Sequence, residues 1–179
     1  MNLPNFLSIT RILLLLPIII LFEYSFYLFS AITFFIASIT DYLDGYIARK
    51  KNLTSQSGAL LDLLADKIFV STLLVWLTFN FNNELILISS ILIISREISI
   101  SYVRMFMILE SRQVSELKSN FLGKVKTTFQ LTGIGFLLIT PLTPGFIFNF
   151  SILLIVLSSF ISWYSFSRYL NDWYRKSES

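Results

Sequence analysis

Aspartates stand at positions 41, 44, 62 and 66, four carboxylates within twenty-six residues of a chain that is otherwise largely apolar. Asp41 and Asp44 are three apart, and Asp62 and Asp66 are four apart. On helices, both spacings place the members of a pair on one face, about a turn from each other. Four ionised carboxylates drawn together repel one another, and either protonation or divalent cations would relieve them. The chain contains no histidine and no cysteine. Imidazole and thiolate are thereby excluded as base, nucleophile or ligand, and disulfides are ruled out. Catalysis or metal binding must rest on carboxylates, hydroxyls and backbone oxygens. All-oxygen ligation suits Mg²⁺ or Mn²⁺, whereas zinc usually takes His or Cys.

The neighbours of the aspartates have readings of their own. Gly45 directly follows Asp44, and Gly58 lies one turn before Asp62. The missing side chains would let a bulky ligand approach the backbone. Arg49 flanks the segment and can pair with a phosphate. Interfacial charges that snorkel, or pair with Arg49, Lys50 and Lys67, are the plainer explanation for any single aspartate. Four at this spacing exceed it, because ionisable groups inside apolar spans are functional candidates by default.

The elements that must position these residues follow from composition. Of 179 residues, 55% are hydrophobic and only 14% charged, too few for the polar coat of a soluble domain. Mean hydropathy is +0.72, and long apolar stretches recur from end to end, as in an all-α polytopic membrane protein. Spans of about 20 residues suit a bilayer core about 30 Å thick. Six fit, near residues 8–27, 29–49, 58–79, 84–108, 122–140 and 146–170. The opening stretch, with Leu3, Pro4, Phe6 and Leu7, could form a short interfacial helix of its own. The run from Ile12 to Phe22 has no small-residue cleavage site after it and reads as a retained span. No tandem repeat or soluble domain is visible, so residues 1–179 read as one membrane domain.

None of the fourteen basic residues lies in the turns near Glu23, near Asn80–Glu84 or near Pro141–Gly145. Those turns alternate with the basic ones. The basic face, with both termini, is therefore expected on the cytoplasmic side. In this arrangement the two aspartate pairs sit on antiparallel neighbours joined by a short basic loop, at one depth.

Asp41, Asp44, Gly45, Ala48, Arg49, Gly58, Asp62 and Asp66 spell D-x2-D-G-x2-A-R-x8-G-x3-D-x3-D. This pattern resembles, without a departure, the signature of the CDP-alcohol phosphotransferase family. That family comprises six-helix membrane enzymes that move a substituted phosphate from a CDP-linked donor to an alcohol. The resemblance implies two divalent ions, Mg²⁺ or Mn²⁺, held by Asp41, Asp44, Asp62 and Asp66 against the donor's pyrophosphate. It makes Asp66 the residue to accept the proton of the attacking hydroxyl. Asp44, Gly45, Ala48, Arg49 and Gly58 would accommodate the cytidine diphosphate. Siblings resembling this chain are dimers, so a homodimer is expected.

The second half of the chain bears on the acceptor. Arg96 and Arg104 are eight apart on one span, and Lys124 and Lys126 open the next, with Arg112 and Lys118 in the loop between. Glu97 adjoins Arg96 but cannot neutralise the remainder. Arg96, Arg104, Lys124 and Lys126, with Arg112 as a weaker member, read as an anion site rather than as snorkelling charges. Such a site beside a metal-bound pyrophosphate implies a second anionic substrate, and neither inositol nor choline would need it. The stretches "NLPNFLSITRILLLLP", "REI" and "GKVKT" are similar to the bacterial branch of the family that makes phosphatidylglycerol phosphate. That likeness implies CDP-diacylglycerol as donor, sn-glycerol 3-phosphate as acceptor and residence in a bacterial inner membrane. A cardiolipin synthase using phosphatidylglycerol would share the signature. From other classes, a divalent-cation transporter would also use intramembrane aspartates, and a structural subunit would leave them unexplained.

Overall fold

The computed structural model describes the backbone of residues 3–50, 56–109 and 121–177 and the side chains of residues 9–40, 64–103 and 122–171. Its elements are α1 (Leu3–Glu23), α2 (Tyr27–Lys50), α3 (Gln56–Phe81), α4 (Glu84–Leu109), α5 (Phe121–Ile139) and α6 (Gly145–Ser177). A single 3-10 turn, Thr140–Leu142, joins the last two. No strand occurs among the described residues. The spans expected at 29–49, 58–79, 84–108 and 146–170 fall inside α2, α3, α4 and α6. That at 122–140 overruns α5 by one residue, and that at 8–27 runs past Glu23 to the first residue of α2, because the left-handed Ser25 stops α1. Residues 3–23 form one continuous helix instead of a separate short helix followed by a span. Pro4 permits this because it sits in the first turn, where its missing N–H has no intrahelical partner to lose. The last helix runs on to Ser177, because the polar residues after Arg168 end an apolar span without breaking a helix.

Sequence chemistry fixes the short turns. After α1, the Ser25 N–H donates to the Phe22 carbonyl (2.9 Å) and the Phe26 N–H to that of Leu21 (2.8 Å). Ser25 supplies the left-handed residue, at φ 65°. These are the paired bonds of a Schellman stop, which satisfy carbonyls that the helix end would leave bare. Asn82, at φ 44°, ends α3. Asn83 then opens α4, its Oδ1 accepting from the N–H groups of Leu85 (3.0 Å) and Ile86 (3.2 Å), which is an N-cap bond set.

The helices close into a ring in the order α1, α2, α5, α6, α4, α3 and back to α1. Phe34, Phe69, Leu73, Ile93, Ile134, Leu138 and Ile155 fill its interior. Small residues allow close approach, as membrane helix packing requires. A Cβ on Gly133 would lie 2.7 Å from Ile155 Cγ1 and 3.2 Å from the Ser151 carbonyl. Hydroxyls add bonds between helices: Ser30 Oγ donates to the Ile18 carbonyl (2.7 Å) and Ser158 Oγ to that of Lys126 (2.9 Å). Outside the ring the surface is apolar, with Leu13, Leu16, Ile32, Ile36, Ile88, Ile91 and Phe160 all exposed. A surface of this kind suits lipid and not water.

Three helices are long and apolar enough among the described residues to cross a membrane, at Leu64–Phe81, Glu84–Val103 and Gly145–Asn171. The fold is that of an all-α integral membrane protein. Helix α5 is diluted by Lys124, Lys126 and Gln130 in its first half.

One feature of the expected arrangement differs. The pairs Asp41/Asp44 and Asp62/Asp66 lie on antiparallel helices as anticipated, but α2 and α3 each pack chiefly against α1. Their described parts meet through the stacked rings of Phe34 and Phe69, with centroids 5.9 Å apart and planes 9° from parallel. Helix α1 fits against both because both present apolar faces to it.

Candidate functional site

Asp41, Asp44, Gly45, Ala48 and Arg49 fall on the last three turns of α2, and Gly58 and Asp62 on the first two turns of α3. The side chains of Asp41, Asp44, Arg49 and Asp62 lie outside the described residues. Asp66, one turn beyond Asp62, presents an exposed side chain. Arg104 lies on α4 with its side chain outside the described part, and Arg112 lies outside it altogether. Among the described residues no three His, Cys, Asp or Glu side chains converge.

What the described residues do bring together is a network centred on Glu97. Lys67, the residue after Asp66, reaches from α3 to α4. Its Nζ donates to the Glu97 backbone carbonyl (2.7 Å) and to Ser101 Oγ. The Ser101 hydroxyl in turn donates to the same carbonyl (2.7 Å). Lys67 Nζ stands 3.7 Å from Glu97 Oε2. On the other oxygen, Oε1 accepts from Arg96 Nη1 at 2.9 Å and from Lys126 Nζ of α5. Arg96 Nε donates to the Ser162 carbonyl of α6 (3.2 Å). One carboxylate thus gathers cations from α3, α4 and α5, and Arg96 ties the network to α6.

The energetics explain why these charges are together. A lone cation or carboxylate in an apolar span costs several kcal/mol, and pairing offsets most of that cost. Arg96 and Lys126 are both only 7% exposed, so each depends on its partner. Three cations, Lys67, Arg96 and Lys126, share one carboxylate, which leaves the network at +2 over its own four members. Lys67 directly follows Asp66 on α3, so the network continues along the chain into the aspartate motif.

The basic residues expected to act as one set separate in the structure. Arg96 and Lys126 turn inward to Glu97, while Lys124 is exposed. Residues two apart on a helix do not share a face, so with Lys126 turned to α4 the side chain of Lys124 points elsewhere.

Three further residues emerge only with the fold. Glu97 read as a partial counter-charge to Arg96, and it is the hub. Lys67 read as a snorkelling partner for an aspartate, and it bridges two helices. Arg11 read as one more basic residue on the cytoplasmic side, and it is 2% exposed on the helix that packs against both α2 and α3. A signal existed for two of them. Glu97 is the single acidic residue between positions 85 and 109, and Arg11 the single charged residue before position 23.

Comparison with known proteins adds an independent line. The sequence pattern of the CDP-alcohol phosphatidyltransferase family matches residues 1–164. The CDP-diacylglycerol–glycerol-3-phosphate 3-phosphatidyltransferase of Haemophilus influenzae is 41% identical over 144 residues, which cover 76% of this chain and 75% of the relative. The protein of that name from Rickettsia felis is 36% identical over 154 residues, covering 82% and 80%. That from Escherichia coli K12 is 34% identical over 144 residues, covering 78% of each. With the aspartate signature on α2 and α3 and a match over most of its length, the chain belongs to the CDP-alcohol phosphatidyltransferase family.

Proposed function

We propose that this protein transfers the phosphatidyl group of CDP-diacylglycerol to sn-glycerol 3-phosphate, giving phosphatidylglycerol phosphate and CMP. The relatives named above carry the name of that reaction. The observation that carries the reading is that Lys67, the residue after Asp66, bonds across to Glu97, which also holds Arg96 and Lys126. Lys67 thereby links an aspartate motif suited to a pyrophosphate with its cations to a network of net positive charge suited to a second phosphate.

The donor set fits a hard cation: it offers carboxylate oxygens only, on neighbouring turns of α2 and α3, and Asp66 stands exposed. Asp41, Asp44, Asp62 and Asp66 would hold Mg²⁺ or Mn²⁺, two ions by the family resemblance. When bound, such ions neutralise the donor's pyrophosphate and the departing CMP. The remaining work belongs to the chain. Gly45, Ala48 and Gly58 leave room for the cytidine diphosphate, and Arg49 pairs with a donor phosphate. The basic residues hold the acceptor so that its hydroxyl faces the phosphorus bearing diacylglycerol. A bond forms from the hydroxyl oxygen to that phosphorus, the bond to CMP breaks, and Asp66 takes the hydroxyl proton.

The site opens toward the cytoplasm of a bacterial inner membrane in this reading, with all six helices crossing. The donor's acyl chains stay in lipid while its cytidine end and the acceptor enter from water. Cysteines placed at Asn82 and Ser177 should react with impermeant reagents from opposite sides; labelling of both from one side would overturn this topology. The homodimer implied by the family resemblance should give twice the chain's mass by light scattering in detergent.

The decisive experiment follows CMP release from CDP-diacylglycerol with purified protein, Mg²⁺ and a panel of alcohols. Glycerol 3-phosphate should support turnover, whereas glycerol, inositol and phosphatidylglycerol should not. Turnover with phosphatidylglycerol would make the protein a cardiolipin synthase. Ion flux in liposomes without any CMP release would make it a transporter.

A further inference from the structure

We propose that Glu97 is a positioning residue that builds the acceptor-phosphate site and sets its charge. The inference rests on the acceptor reading given above and deepens it. Lys67, Arg96 and Lys126 come from three helices, and like charges do not converge in an apolar bundle without an anion between them. Glu97 is that anion. Its two carboxylate oxygens divide the work, Oε1 taking Arg96 and Lys126 and Oε2 facing Lys67. Its own backbone carbonyl fixes Lys67 a second time.

The accessibility of the members ranks their roles. Arg96 is the most enclosed, at 8% of its side chain, and is pinned at both ends, to Glu97 and to the Ser162 carbonyl. It holds Glu97 rather than a ligand. Lys67 and Glu97, at 16% and 19%, form the edge that a water-borne molecule can meet. Lys126, at 9%, falls between Arg96 and that edge in exposure.

The charge left over is the specificity device. Three cations around the one Glu97 carboxylate leave these four side chains with excess positive charge, which suits a phosphate monoester carrying about −1.5 to −2 near neutral pH. A neutral alcohol gains nothing from that excess, so the network favours a phosphorylated acceptor over a plain one. Were Glu97 neutral, the cations would separate, and their geometry toward a single phosphate would be lost.

Kinetics of the full-length protein in detergent micelles with CDP-diacylglycerol and Mg²⁺ test this. Glu97→Gln should raise the KM for glycerol 3-phosphate about tenfold or more, the scale of one charge-assisted hydrogen bond, with the KM for CDP-diacylglycerol within about twofold. Glu97→Asp, which keeps the charge on a shorter arm, should fall between the parent and Glu97→Gln. If Glu97→Gln does not fold, Glu97→Asp alone must raise the acceptor KM about threefold or more with the donor KM unmoved. An unchanged acceptor KM in the variant that folds, or equal rises for both substrates, overturns the proposal while leaving the acceptor reading intact. A parent enzyme indifferent to glycerol 3-phosphate would remove both together.

Discussion

The two ends of this bundle are built from the same helices by opposite means. At the end of the short turns, Phe22 packs edge-on against Tyr27, Trp76 and Phe81, with centroids 4.9, 5.0 and 6.1 Å away, and Phe81 meets Phe148 at 5.4 Å. Its few polar groups lie at the rim, where Glu23 accepts from Trp76 Nε1 (3.1 Å) and Asn80 Nδ2 (3.4 Å). At the other end Glu97 holds the buried cations Arg96 and Lys126. Ring packing is short-ranged and tolerant of small changes in partner. A charge network in an apolar medium is intolerant, because removing one member strands the others. The aromatic end fixes how the helices cross, and the charged end uses that fixity to hold groups that would otherwise repel.

The contrast between the ends is largest at the aspartates. Chelation of divalent ions should abolish CMP release, and Mg²⁺ or Mn²⁺ should restore it. Asp66→Asn should cost at least about a hundredfold in kcat/KM, since metal-centred stabilisation and proton acceptance carry several kcal/mol of the barrier. Full activity in chelator would remove the metal from the reading. Thermal stability should change little, because Asp66 is exposed.

The second test sets two lysines, two residues apart, against each other. Lys126→Ala should raise the KM for glycerol 3-phosphate by roughly ten- to a hundredfold, the worth of one charge-assisted hydrogen bond in a buried network. Lys124→Ala should change it by no more than about threefold, as expected for an exposed cation whose interactions are solvent-screened. Equal effects would show that exposure does not separate their roles.

At the aromatic end the prediction reverses. Phe22→Ala should lower stability by about 3 kcal/mol, as for a large ring removed from a packed core. The protein that remains folded should keep kcat/KM within about twofold of the parent, since no charged group of the site is touched. Denaturation followed by tryptophan fluorescence, paired with activity per folded molecule, separates the two quantities. A large loss of specific activity would mean that the ends are not independent.

Much of this was legible in the residues. The six apolar stretches fall on six helices, because a segment that apolar must satisfy its own backbone and little besides a helix does so. The first helix ends at Glu23 and not near residue 27, because the turn at Ser25 is a matter of backbone geometry. The aspartate signature was legible because it is local, a spacing within two consecutive helices and the loop between them. Of its four carboxylates the described side chains include Asp66, while those of Asp41, Asp44 and Asp62 lie outside them. Continuity of the first helix was not legible, because Pro4 reads as a breaker until its place in the first turn is known.

The sequence by itself determined the all-α membrane architecture, the absence of imidazole and thiolate ligands, and the clustering of basic residues away from three turns. Each of these is carried by composition or by neighbours along the chain. Only the tertiary structure decided which charges meet. Glu97 is 30 residues from Lys67, 29 from Lys126 and adjacent to Arg96, and no periodicity links such separations. They converge because α3, α4 and α5 take their places in a ring whose order differs from the order along the chain. That order follows from which apolar faces fit, a property of surfaces that a line of letters does not display.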